Sequence, residues 1–389
     1  MIKLIKSTFF HELQTKKALC AFILKSEQLS IGKKCDEFEK RFAIWQKRKF
    51  CVLFNTGSSA NLALIQALLN LGVIGKGSKI GFSGITWATN VMPLMQLGLE
   101  PIPIDVEVES LNVSPKTLED SYNKNPFQCL FLTNLLGLSD DILGIKNFCQ
   151  EKNILLLEDN CESLGSISNN IMLGNFGLAS TFSFFVGHHM SAIEGGAVCT
   201  NDKDLNRELR MVRSHGWDRH LSKKEQKFLR LKHNISDFEA KYTFFDLAYN
   251  LRPTEITGFL GLHQLAFLHK TIKSRESNFN AFLTLLKNSA KFYPLNIKMN
   301  CTSNFAMPII CKAEVTKKKC IQLCKKKGIE IRPIVGGVMS DQPFFKKYIT
   351  KTFYLPNSRL IHKNGFYFAN NPELSQKEIK YIISTLSSI

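Results

Sequence analysis

The sequence predicts an α/β protein with a mainly parallel sheet covered on both faces, followed by a smaller α+β C-terminal portion. Three observations carry this. The runs Phe50–Leu53, Lys79–Phe82, Pro101–Ile104, Cys129–Leu132 and Ile154–Leu157 are nearly continuous in apolar residues, as strands buried on both faces must be. Between them lie helical patterns: Ser58–Leu71 sets Ala60, Ala63, Leu64, Ala67, Leu68 and Leu71 at three- and four-residue steps. After Asn250–Glu255 the texture changes. One long helical stretch carries Phe259, Leu262, Leu265, Leu268 and Ile272, and a mixed tail runs to Ile389. A hinge is expected near residues 265–290. The expected division is a large α/β domain over residues 1–265, with an N-terminal arm, and a small α+β domain over residues 266–389.

At 389 residues the chain can bury a large core and two domains. Its 44% hydrophobic and 22% charged content is that of a soluble globular protein. No apolar run reaches the roughly 18–20 residues that span a bilayer. The start, Met1-Ile-Lys-Leu-Ile-Lys-Ser7, lacks the apolar region and small-residue cleavage site of a secretory signal, so a cytoplasmic protein is expected. Eleven cysteines, scattered from Cys20 to Cys324, argue for reduced thiols. Cys320 and Cys324 have no nearby His and do not have a zinc spacing; they read as the buried stripe of a helix.

Several segments have chemical potential. Phe54-Asn-Thr-Gly-Ser-Ser-Ala-Asn61 turns from a strand through Gly57 into a helix, whose N-terminal amides make a phosphate cradle at Gly57 and Ser58. That signal is weak alone, since many such turns bind nothing. Trp87, in Thr86-Trp-Ala-Thr89, can stack on a flat ring or sit in the core. Asp159, in Leu156-Leu-Glu-Asp-Asn-Cys-Glu162, lies at the carboxyl end of a buried strand, where open α/β sheets bind ligands. Most informative is a gap: no lysine occurs between Lys152 and Lys203. Into it fall Gly174-Asn-Phe-Gly177, Ser180-Thr-Phe-Ser-Phe184 and Val186-Gly-His-His-Met-Ser-Ala-Ile-Glu-Gly-Gly196.

These segments, from Leu29-Ser-Ile-Gly-Lys33 to Asn364-Gly-Phe-Tyr-Phe368, resemble the DegT/DnrJ/EryC/StrS family of sugar-nucleotide enzymes. The resemblance implies the fold type I of pyridoxal-phosphate enzymes, similar to aspartate aminotransferase. It implies that Gly57, Ser58 and Ser183 hold the cofactor phosphate, that Trp87 covers the ring, and that Asp159 keeps the pyridine nitrogen protonated. Glu162 stands where the family commonly has Gln, near the ring hydroxyl. Asn250 corresponds to an Asn that reaches the phosphate in the neighbouring subunit, so a homodimer with shared sites is implied. His215, Arg219, Arg252 and Arg332 are candidate contacts to substrate anions, with structural ion pairing as the competing reading.

In this family a lysine four or five residues after the Ser-Phe pair bonds covalently to the cofactor. Counting from Ser183-Phe184, that position is His188, and an imidazole cannot form the bond. Histidine-bearing members are dehydratases that remove the 3-hydroxyl of a 4-keto-6-deoxy sugar nucleotide, using glutamate to form pyridoxamine phosphate. One kind carries an iron–sulfur cluster on closely spaced cysteines downstream of the histidine. Here Cys199 is the only cysteine between His188 and Cys301, so the cluster-free, metal-free kind is expected. His188 is then the acid–base group, suited to it by an ordinary pKa near 6.5, and His189 is structural. The alternative is an aminotransferase that works without the lysine. The net charge of +18 fits anionic substrates, nucleic acid, or solvated helix faces. No nucleic-acid motif accompanies it, so neither nucleic acid nor membrane is an expected partner.

Overall fold

The computed structural model describes residues 1–287 and 289–389. In chain order its strands are β1 (Phe50–Phe54), β2 (Lys79–Ser83), β3 (Glu100–Ile104), β4 (Cys129–Thr133) and β5 (Leu155–Asp159). A short ladder follows, β6 (Ile167–Ser168) and β7 (Ile171–Met172), then β8 (Ala179–Ser183) and β9 (Gly196–Thr200). The C-terminal region supplies β10 (Ala306–Ile310), β11 (Ile331–Pro333) and β12 (Gly365–Ala369). Seven strands form the main sheet in the order β1-β9-β8-β5-β4-β2-β3. Only β9 runs antiparallel to its neighbours.

The five apolar runs of the sequence are the first five strands. Every residue of β4, β8 and β9 is buried, which is why no polar alternation marks them. The helix Gly57–Asn70 packs on the sheet through Ala60, Ala63, Leu64, Ala67 and Leu68. Thr56 caps it, its Oγ1 accepting from the Ser59 amide at 3.0 Å.

The expected single long helix is two, Glu255–Leu265 and Leu268–Lys287. The chain bends at Ala266–Phe267, where the Phe267 ring packs against Phe10 and His11 at centroid distances of 5.9 and 5.1 Å. The apolar spacing continues across the bend, so periodicity could not reveal it. The second helix enters the C-terminal region, whose antiparallel sheet has the order β10-β12-β11. Leu130 and Leu132 of the main sheet share one apolar cluster with Phe279, Phe282, Phe366 and Phe368. Cys320 and Cys324 are buried on the helix Glu314–Lys327.

The first seven residues run along the C-terminal region. Ile2 bridges Ile329, the Leu4 amide donates to Glu330 at 2.9 Å, and Lys6 pairs with Glu378 at 2.9 Å. Among the described residues no helix is long and apolar enough to cross a membrane.

Candidate active site

The carboxyl ends of the parallel strands bring the site together. At the end of β5, Asp159 is buried, with both carboxylate oxygens hydrogen-bonded. Its Oδ2 accepts from Asn61 Nδ2 at 2.9 Å and Asn90 Nδ2 at 2.6 Å, and its Oδ1 from the Cys161 amide at 2.8 Å. Two side-chain amides and a backbone N–H thus hold the carboxylate in one orientation. Sequence reasoning assigned no role to Asn61 or Asn90. The available signal was a buried Asn on an otherwise apolar helix face, which requires a partner.

Gly57 opens its helix directly against the end of β8. A Cβ there would lie 2.7 Å from Ser183 Cβ and 3.1 Å from its Oγ, so only glycine permits this approach. Gly57, exposed Ser58 and Ser183 therefore share one corner at a helix N-terminus. Trp87 is 54% exposed, which removes the core reading of this residue. Behind it Thr86 bonds to Thr133 at 2.6 Å and to Asn90 at 2.9 Å, which braces the loop after β2.

Glu162 is buried, and its Oε2 accepts from the Leu136 amide at 2.8 Å. Burial pushes its carboxyl up to about 8; the Leu136 amide opposes this and the Asp159 charge adds to it. Glu162 is therefore mostly a neutral acid at pH 7, able to donate a hydrogen bond as the amide of Gln would.

The loop between β8 and β9 folds back on itself. The Ala192 amide donates to Phe184 O at 2.8 Å, the Phe184 amide to Gly195 O at 2.8 Å, and the Val186 amide to Ile193 O at 3.1 Å. Ile193 has a φ of 69°, a strained value for a β-branched residue. His188 sits in this loop beside Phe185 and Phe305, at ring distances of 5.7 and 5.3 Å. The residue is half-buried, and its Nδ1 is enclosed without a partner among the described residues. Enclosure lowers its pKa to about 4; Asp159 opposes the shift and Arg275 adds to it. The expectation of titration near 6.5 is thus corrected by burial. His189 is buried, with Nε2 at 3.0 Å from Ser303 O, and burial pushes its pKa well down, so it donates as a neutral ring.

A model of the DegT/DnrJ/EryC1/StrS aminotransferase family matches residues 12–387. The chain belongs to this family. Consistent with the family, the large sheet and smaller C-terminal region form the aminotransferase-like fold type I. The chain is 32% identical over 370 residues to GDP-4-keto-6-deoxy-D-mannose 3-dehydratase of Escherichia coli O55:H7, with 94% of each chain covered. A solved mutant of GDP-4-keto-6-deoxymannose-3-dehydratase with bound GDP-perosamine superposes with a TM-score of 0.91 at 30% identity. It covers 99% of this chain and 100% of that one. A second structure of that enzyme, holding a trapped PLP–glutamate geminal diamine, gives the same TM-score, identity and coverage.

Not every candidate of this family member converges on Asp159. His215, Arg219, Asn250 and Arg252 form a separate group. Ser214 bridges Asn250, and Arg252 Nε donates to Asn250 Oδ1 at 2.9 Å. The His215 ring lies 4.9 Å from Trp217, and Arg219 stacks on Trp217 at 3.8 Å and donates to Lys241 O. The Asn55 amide donates to Leu251 O at 3.0 Å, which sets this group beside the turn into Gly57. Arg332 stands apart on β11, paired with Glu330 at 2.6 Å.

Proposed function

We propose that this chain is a pyridoxal-phosphate-dependent 3-dehydratase of a 4-keto-6-deoxy sugar nucleotide, with GDP-4-keto-6-deoxy-D-mannose as substrate and L-glutamate as amine donor. The observation that carries this is His188, an imidazole in the loop after β8 at the position where the resemblance places the covalent lysine of the family's aminotransferases. The residues fit the cofactor. Gly57, Ser58 and Ser183 would hold the phosphate, Asp159 the ring nitrogen, Glu162 the ring hydroxyl, and Trp87 the ring face. His188 Nδ1, enclosed with no partner among the described residues and within reach of the Asp159 charge, is the kind of atom a bound group satisfies. When bound, the cofactor supplies an electron sink and carries the nitrogen taken from glutamate.

The protein groups then divide the work. Asp159, fixed by Asn61 and Asn90, holds positive charge on the ring nitrogen. Neutral His188 takes a proton at a ring nitrogen. Its low proton affinity makes the resulting imidazolium a strong donor to the departing C3 hydroxyl. The electrons balance: the sugar loses its C3 oxygen, and glutamate becomes 2-oxoglutarate and ammonia. With an imidazole in place of a lysine amine, the cofactor is not recaptured covalently at this position, and nitrogen leaves as ammonia instead of remaining on the sugar.

His215, Arg219, Arg252 and Arg332 are proposed contacts to the nucleotide diphosphate. A homodimer is proposed, with Asn250 completing the other subunit's phosphate site. Exposed Tyr242 and Phe244, packed on Arg219 and Trp217 of that group, and exposed Phe228, Leu231, Phe238 and Leu247 in the same stretch of chain support it. The proposed setting is the cytoplasm, supplying a deoxysugar for surface polysaccharide, and the division at residue 265 is kept as a two-domain proposal. Incubation with pyridoxal phosphate, glutamate and the sugar nucleotide tests the reading. Ammonia and a 3-deoxy ketosugar are expected. An amino sugar as product would instead favour the aminotransferase alternative.

A further inference from the structure

Arg275, on the helix Leu268–Lys287, is buried, and no carboxylate is ion-paired with it among the described residues. Burial lowers its pKa to about 9. A guanidinium without an acidic partner is a costly thing to enclose. Its two Nη groups donate to three peptide carbonyls on three separate segments, Nη2 to His188 O at 3.2 Å and Nη1 to Asn304 O at 3.4 Å and to Asn370 O, while Nε has no partner among the described residues. The site is braced in return. Asn370 Nδ2 donates to Arg275 O at 2.9 Å and to Asn304 Oδ1 at 2.6 Å, while His189 holds the adjacent Ser303 O. A cavity of about 40 Å³ opens alongside, lined by His188, His189, Ser191, Arg275, Phe305 and Glu373.

We propose that Arg275 is a positioning residue for His188: its guanidinium ties the His188 carbonyl to the chain at Asn304 and Asn370, and so aims the imidazole. This rests on the acid–base reading of His188. A fixed carbonyl fixes the backbone from which the ring projects, and the planar fork suits three acceptors as an ammonium does not. The cation also disfavours protonation of the ring. The other charged or titratable groups facing His188 are Asp159 at the end of β5, His189 beside it, and Glu373 across the cavity.

The test uses Arg275→Met and Arg275→Lys, each alone and with His188→Asn, reading kcat against pH and cofactor affinity by absorbance. Arg275→Met is expected to lower kcat about 10- to 100-fold and to move the acid limb to higher pH. Cofactor affinity should stay within about twofold. Arg275→Lys, which keeps the charge, should lose rate with the limb in place. Combined with His188→Asn, Arg275→Met should cost no more than about a further twofold. Equal losses in both backgrounds, or an unmoved rate and limb, would overturn the clamp. Normal turnover in His188→Asn would instead overturn the reading of His188. If Arg275→Met does not fold by thermal denaturation, the Arg275→Lys rate decides: a kcat equal to wild type refutes the proposal.

Discussion

Replacing Glu162 by Gln should remove a pH dependence of folding that the wild-type chain carries. The carboxyl is raised from 4.5 to about 8, so the fold holds it protonated where the unfolded chain has released the proton. In that window the native state binds more protons, and stability falls as pH rises. The slope from one proton is about 1.4 kcal/mol per pH unit. Over pH 5 to 7.5 the loss is about 3 kcal/mol, and it is complete above about pH 8. Gln keeps an acceptor for the Leu136 amide and titrates nothing. Urea unfolding of the cofactor-free protein, at one fixed protein concentration because assembly shifts the midpoint, gives the two curves. The difference between variant and wild type should be near zero at pH 4.5 and grow steadily towards pH 8. Parallel curves would refute a neutral Glu162.

Three further outcomes follow from the same geometry. His188→Asn should keep cofactor affinity while turnover falls roughly 10²- to 10⁴-fold, and near-normal turnover would remove His188 from the chemistry. With its pKa lowered to about 4, chiefly by enclosure, His188 stays neutral down to that pH; the acid limb of kcat/KM assigned to it should lie near 4, and a limb near 6.5 would contradict the enclosure. Arg213, fully buried, donates to Glu39 at 2.6 Å and to Leu53 O at 2.8 Å, so Arg213→Met should destabilise the fold by about 3 kcal/mol or more in urea unfolding; a loss under about 1 kcal/mol would show that Arg210 alone satisfies Glu39.

The parts legible in the sequence were those with local causes. Apolar runs gave β1 to β5 because burial on both faces suppresses alternation. Gly57 was legible because a strand-to-helix turn under close approach admits little else, and Asp159 because it ends a buried strand. β8 and β9 were not read as strands: Ser180, Thr181 and Ser183 are small and polar, yet the sheet buries them all. Asn61 and Asn90 escaped because their partner Asp159 lies 98 and 69 residues away along the chain. At the bend, Phe267 packs against Phe10 and His11, also remote in sequence. The lysine gap drew attention to His188, but its lowered proton affinity depends on enclosure and Arg275, which no spacing records.

The fate of glutamate's nitrogen tests the central claim most directly. Nitrogen-15 glutamate, pyridoxal phosphate and GDP-4-keto-6-deoxy-D-mannose are incubated with the protein, and ammonia and the sugar nucleotide are followed by mass spectrometry. Labelled ammonia beside an unlabelled sugar nucleotide one oxygen lighter is the expected result. Label retained on a sugar that keeps its C3 oxygen would contradict deoxygenation at C3 with His188 as the acid–base group.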